Sequence, residues 1–168
     1  MLPSLQVALV SLALTGLASC SAPDRSLTRD AAGDVPDYPT DIPFEVLHCD
    51  IRSESSFGAH IQSRGDWATF VATYPPATPY KEVPTDFERH DVIAIGLGMR
   101  PTTRYSVRVL GIGRDGPTVR VTYLETEPGN CSVGYLATYP CVLVVTGRIS
   151  TEPAYNHRVH TESCSDGT

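Results

Sequence analysis

Lysine occurs once in this chain of 168 residues, at Lys81, and acidic side chains outnumber basic ones, 19 to 13, for a net charge of −6. Phosphate binding draws on clustered cations, so a nucleic-acid partner is not expected. No CxxC pair occurs, which removes a common zinc-ligand spacing. No apolar run reaches the ~20 residues that a helix needs to cross hydrocarbon. Also lacking is any set of residues that reads as a nucleophile with its base, as paired carboxylates in a cleft, or as a metal cluster. Glu125 and Glu127 share a strand face, and His157 and His160 fall in a polar stretch after Pro153. Both patterns read as solvated side chains. The expectation is a protein that is not an enzyme and uses no cofactor and no metal.

What is present begins with Val7 to Leu17, apolar and of the length of a signal h-region. Leu17, Ala18, Ser19 and Cys20 close it in a way that resembles the lipobox of bacterial lipoproteins, although no Lys or Arg precedes Arg25. Residues 1–19 then read as a signal peptide and Cys20 as the lipidated first residue of an exported protein. Ser21 in place of Asp at the next position favours release to an outer membrane, facing the periplasm or the exterior. From Ser21 to Pro43, prolines and aspartates stand among few large apolar residues, so residues 20–43 read as a lipidated Cys with a disordered tether. Treated as a flexible coil, it holds the domain on the order of 25–30 Å from the lipid.

The remaining length suits one domain with a moderate core. Phe44 to Asp50 alternates as a first strand carrying His48 as a packed side chain, and Ser56 to Gln62 is placed to pair with it. Asp66 precedes Trp67, Phe70, Val71 and Tyr74, a helical stripe behind a good cap, stopped by Pro75 and Pro76. Val92 to Leu97, Tyr105 to Ile112, Thr118 to Glu125 and Val142 to Ile149 read as further strands. The expected fold is mainly β (α+β), an antiparallel meander or sandwich with one short helix near Trp67–Tyr74, spanning residues 44–150 and followed by a C-terminal tail, 151–168. Gly111, Gly113 and Gly116 match G-x-G-x-x-G. The segment after them continues as a strand, so no helix N-terminus is available for a pyrophosphate, and Asp115-Gly116 signals a hairpin instead.

With Cys20 lipidated, Cys49, Cys131, Cys141 and Cys164 remain, an even number in a compartment where disulfides persist. Three connectivities are open. Cys131 with Cys141 is the local choice, which leaves Cys49 with Cys164.

Trp67 and Phe70, Asp86-Phe87, Gly98, Pro101-Thr102, Tyr105-Ser106-Val107, Glu125-Thr126-Glu127-Pro128-Gly129, Cys131 and Tyr139-Pro140 occur in the order and spacing of a known family. Over Trp67 to Ile149 the chain is similar to the C-terminal domain of the protease complex subunit PrcB family. That resemblance implies a protein partner, an extracytoplasmic protease that the chain stabilises as a subunit. Pro101, Thr102, Thr103, Arg104 and Tyr105 also look like the Pro-Thr-Thr-Gly-Tyr loop of chagasin-type protease inhibitors, with Arg104 standing where Gly is preferred. This loop is the candidate partner-binding element, and inhibition of a protease is the alternative function. The exit from the following strand, Glu125 to Asn130, is a second exposed turn.

Overall fold

The computed structural model describes residues 37–78, 80 and 85–163. They form two stacked sheets with one helix on the far side of the first. Four strands make the first sheet: β1 (Phe44–Leu47), β2 (Phe57–Ile61), β3 (His90–Gly96) and β6 (Cys141–Gly147), in the order β1-β6-β3-β2 and antiparallel throughout. Three make the second: β4 (Ser106–Asp115), β5 (Thr118–Glu127) and β7 (Ala154–Thr161), with β4–β5 antiparallel and β5–β7 parallel.

The first sheet is buried on both faces, which explains the unbroken apolar run of β3. Val92 and Ala94 face the helix α1 (Arg64–Thr73), where Trp67 and Phe70 close a core with Ile51, Ile61, Phe87 and Leu143. Ile93 and Ile95 face the other way and pack with Val142 and Val144 against Val109, Ile112, Val119 and Val121 of the second sheet. A strand with β6 and β2 on its flanks and a layer over each face has no room for a third neighbour. The chain leaving β3 is therefore carried into the second layer, and the mainly β expectation with one short helix holds in its sandwich form rather than as a simple meander. For the same reason β2 pairs with β3, not with β1 as expected.

Local chemistry sets the ends of the elements. Ser63, not Asp66, is the N-cap of α1: its hydroxyl accepts from the Asp66 N–H at 3.1 Å, and Asp66 in turn accepts from the Gln62 N–H at 3.2 Å. These two bonds place the helix start three residues before the expected position. The β4–β5 hairpin turns through Gly116 and Pro117, with Gly116 at φ +60°. Gly113 has a different use. A Cβ there would collide with Pro39 and Asp41, which run across β4.

That crossing corrects the reading of residues 20–43 as tether over its last part. Ile42 bridges Ile112, and Asp41 accepts from the Arg114 N–H at 2.7 Å. Residues 1–36, with Cys20, lie outside the described residues, as does Cys164.

The described disulfide joins Cys49 to Cys141, with Cα atoms 5.8 Å apart. The expected Cys131–Cys141 and Cys49–Cys164 pairings are thereby corrected, although Cys131 is itself disulfide-bonded and buried. The reason lies in register: Leu47 opposes Leu143, so two residues further along an antiparallel pair Cys49 comes opposite Cys141. Strand pairing overrode sequence proximity. His48 lies just beyond β1 and is exposed rather than packed.

The segment read as a polar C-terminal tail is in large part β7. It lies alongside β5 over eight residues, from Arg120–Ala154 to Glu127–Thr161. Its alternation of Tyr155, His157 and Val159 was visible, but its polar composition masked it.

Candidate functional site

At one end of the two sheets lies a cleft of about 370 Å³, lined by Phe57 and Gly58 of β2, Ile95 of β3, Arg100, Tyr123 of β5, and Tyr155 and His157 of β7, among others. This is at the low end of the ~300–1,000 Å³ of small-ligand sites. The β4 bulge between Val109 and Gly111 falls beside Tyr123, where the second sheet bends.

Glu125 is the charge at the base of this end. Its side chain is only 4% exposed, and its two oxygens are divided between Arg100 Nε at 2.9 Å and His157 Nε2 at 3.0 Å. Arg100 also donates through Nη1 to the Leu97 carbonyl at 2.7 Å and lies over the Tyr105 ring. His157 stacks on Tyr123, the rings nearly parallel and 4.8 Å apart. A carboxylate this deep has lost most of its hydration, and these two partners offset that loss. Burial, reinforced by the Glu125 charge, raises the Tyr123 phenol above its ordinary value. Burial likewise pushes the Tyr155 phenol far above the usual range, helped by Glu152 and Tyr123. The Tyr155 hydroxyl therefore stays protonated, and among the described residues it has no hydrogen-bond partner.

Sequence reasoning placed Glu125 and His157 among solvated residues and did not single out Arg100. They are brought together because β7 returns beside β5. The i, i+2 spacing of Glu125 and Glu127 carried no hint of this, since one partner comes from a turn and the other from a strand more than thirty residues on.

The expected binding loop emerges directly from Arg100. Arg100 and Thr138 exchange both backbone hydrogen bonds, at 2.8 and 2.9 Å, and the Thr138 hydroxyl donates to the Thr102 carbonyl at 2.8 Å. Thr102 is buried, whereas Pro101, Thr103 and Arg104 are exposed and Tyr105 is half-buried. Among the described residues no non-glycine residue has positive φ, so Arg104 is not strained where the inhibitor loop prefers Gly. The left-handed position is Gly98, at φ +79°, where a Cβ would strike the backbone of Glu54 and Ser56.

A second polar cluster lies elsewhere on the first sheet. The fully buried Asp91 accepts from the Ile149 N–H at 2.8 Å, is 2.9 Å from His60 Nε2 and 3.3 Å from Arg148. It ties β2, β3 and the chain after β6 together. Among the described residues no group of His, Cys, Asp or Glu is placed to hold a metal ion, and no helix is long and apolar enough to cross a membrane.

The architecture is that of a mainly β domain of two stacked sheets with a rigidly held connecting loop beside a donor-lined cleft. Residues 92–146 match the family model described as PrcB C-terminal, which bears out the resemblance over β3 to β6. No curated protein and no solved structure matches the chain. The matched stretch contains Arg100, the Pro101–Tyr105 loop and Glu125; Phe57, Tyr155 and His157 lie outside it.

Proposed function

We propose that this chain is a non-catalytic, lipid-anchored protein of the cell envelope whose β domain binds another protein, as a stabilising subunit of an extracytoplasmic protease. The observation that carries the reading is the match over residues 92–146, which spans the clamped Pro101–Tyr105 loop. Thr138 fixes the start of that loop at the Arg100 backbone and the Thr102 carbonyl, and the side chains of Pro101, Thr103 and Arg104 are exposed beside these anchors. A pre-ordered loop loses little entropy on association, and Arg is enriched among residues that dominate binding.

The test is isolation of the tagged full-length protein from native membranes, with identification of what accompanies it. Recovery of a protease in fixed proportion, reduced by joint replacement of Thr103 and Arg104 by alanine, supports the reading. Thr102 is left intact because it is buried. Recovery of the protein alone overturns it, and dose-dependent inhibition of the protease by purified protein turns it into the inhibitor alternative. Cys20→Ala should abolish fatty-acid labelling and release the protein from the membrane fraction; unchanged labelling ends the lipid-anchor proposal.

A further inference from the structure

The donor-lined cleft lies against an open strand edge. β5 flanks β7 on one side, and among the described residues no strand flanks it on the other. The Glu162 N–H bonds to the Glu127 carbonyl at 2.8 Å. By strand alternation, the backbone groups of Asn156, Arg158 and His160 then turn toward β5, and those of Tyr155, His157, Val159 and Thr161 turn outward. Val159 is 52% exposed, and neither proline nor lysine stands within the strand. Of the devices that usually blunt an edge, proline, lysine and a covering strand are absent among the described residues, and the one charged side chain within the strand, Arg158, is paired with Asp37. At the opposite edge of the same sheet, Ile42 bridges β4.

A strand added to β7 carries alternate side chains on the face that presents Tyr155 and His157, which is the face of the cleft. The cleft offers donors. Arg100 uses Nε on Glu125 and Nη1 on the Leu97 and Met99 carbonyls, which leaves Nη2 with no hydrogen bond among the described residues. His157 is 40% exposed at the rim. Glu125 already serves both Arg100 and His157, so its charge is answered within the protein.

We propose that β7 takes up an extended segment of a partner protein as an added strand, with an acidic side chain of that segment seated in the cleft against Arg100 and His157. This rests on the binding function proposed above and adds to it the docking edge and the chemistry of what docks. Main-chain pairing supplies affinity without sequence preference, and the cleft supplies the preference.

The experiment is a titration of the nitrogen-15-labelled mature chain with end-blocked peptides of alternating valine and threonine, with one central glutamate or, in its place, lysine. The glutamate peptide should shift, and slow the exchange of, the outward amides of His157, Val159 and Thr161, and the lysine peptide should bind about tenfold more weakly. Val159→Pro removes an outward N–H and spares the ladder to β5, and should weaken binding by about tenfold or more. Ser56→Phe, at an exposed position on the cleft, should do the same without touching the strand. Shifts that map elsewhere, equal binding of the lysine peptide, no shift at β7 at millimolar peptide, or indifference to both variants overturn the proposal. So does protection of the β7 amides in the free protein together with a doubled mass, since a second copy would then hold the edge. In the native isolation, a wild type recovered alone defeats the binding function itself. A partner recovered undiminished by both variants defeats only the strand-addition site.

Discussion

Glu125 is decided by its neighbours rather than by its own chemistry. On a strand beside Glu127 it reads as one of two exposed carboxylates, yet its side chain is 4% exposed and held by Arg100 and His157. Arg100→Ala should leave this carboxylate with His157 alone. Arg100 is itself 27% exposed, so the expected loss is about 2 kcal/mol, below the ~3–5 kcal/mol of a fully buried pair, as measured by urea unfolding. Gly98 was legible as a strand end, but its φ of +79° and the approach of the Glu54 and Ser56 backbone were not. Gly98→Ala should cost about 1–3 kcal/mol in the same measurement. The Arg114 backbone N–H holds the Asp41 carboxylate below its ordinary value of 3.8. A carboxylate lowered on folding stabilises the native state above its unfolded pKa, and this contribution disappears as pH falls through the lower folded value. Asp41→Asn should therefore make the acid limb of the stability curve, below pH 3.8, slightly less steep, as followed by thermal melting across that range.

At the scale of elements, periodicity found seven of the eight. β1, β2, α1 and β3 to β6 appear within a few residues of their expected places, because alternation and the stripe from Trp67 to Tyr74 depend only on which face is buried. β7 escaped because it is an edge strand with polar residues on both faces, and such a strand has little apolar alternation to read. Pairing was less legible than presence. β1 joins β6 across most of the chain, and this long-range register brings Cys49 opposite Cys141, 92 positions further along the chain. Non-reducing peptide mapping should recover the Cys49–Cys141 peptide pair. Replacing both cysteines by serine should cost about 2–5 kcal/mol, since the bridge closes a long loop in the unfolded chain.

For the whole molecule, the first sheet is shared by two cores, one under α1 and one against the second sheet. Losing either leaves a bare apolar face on the same four strands, so the described domain should unfold as one unit. Trp67 is the only tryptophan and sits in the core under the helix, away from the second sheet. Its fluorescence and the far-ultraviolet circular dichroism should fall in a single coincident transition; separated midpoints would show that the sheets unfold independently. Ile112→Ala, in the other core, should lower both midpoints together, by about 2–5 kcal/mol.

The class of fold, the one short helix, the hairpin at Gly116 and the family likeness of residues 92–146 were all legible along the chain, because each follows from local periodicity, turn chemistry or ordered short motifs. The order of strands in the two sheets, the Cys49–Cys141 bridge, the docking of residues 37–42 across β4 and the meeting of Arg100, Glu125 and His157 emerged only on folding. These join residues far apart along the chain. Such contacts are selected by which faces and edges remain open once the central strand is enclosed, and no window of sequence contains that information.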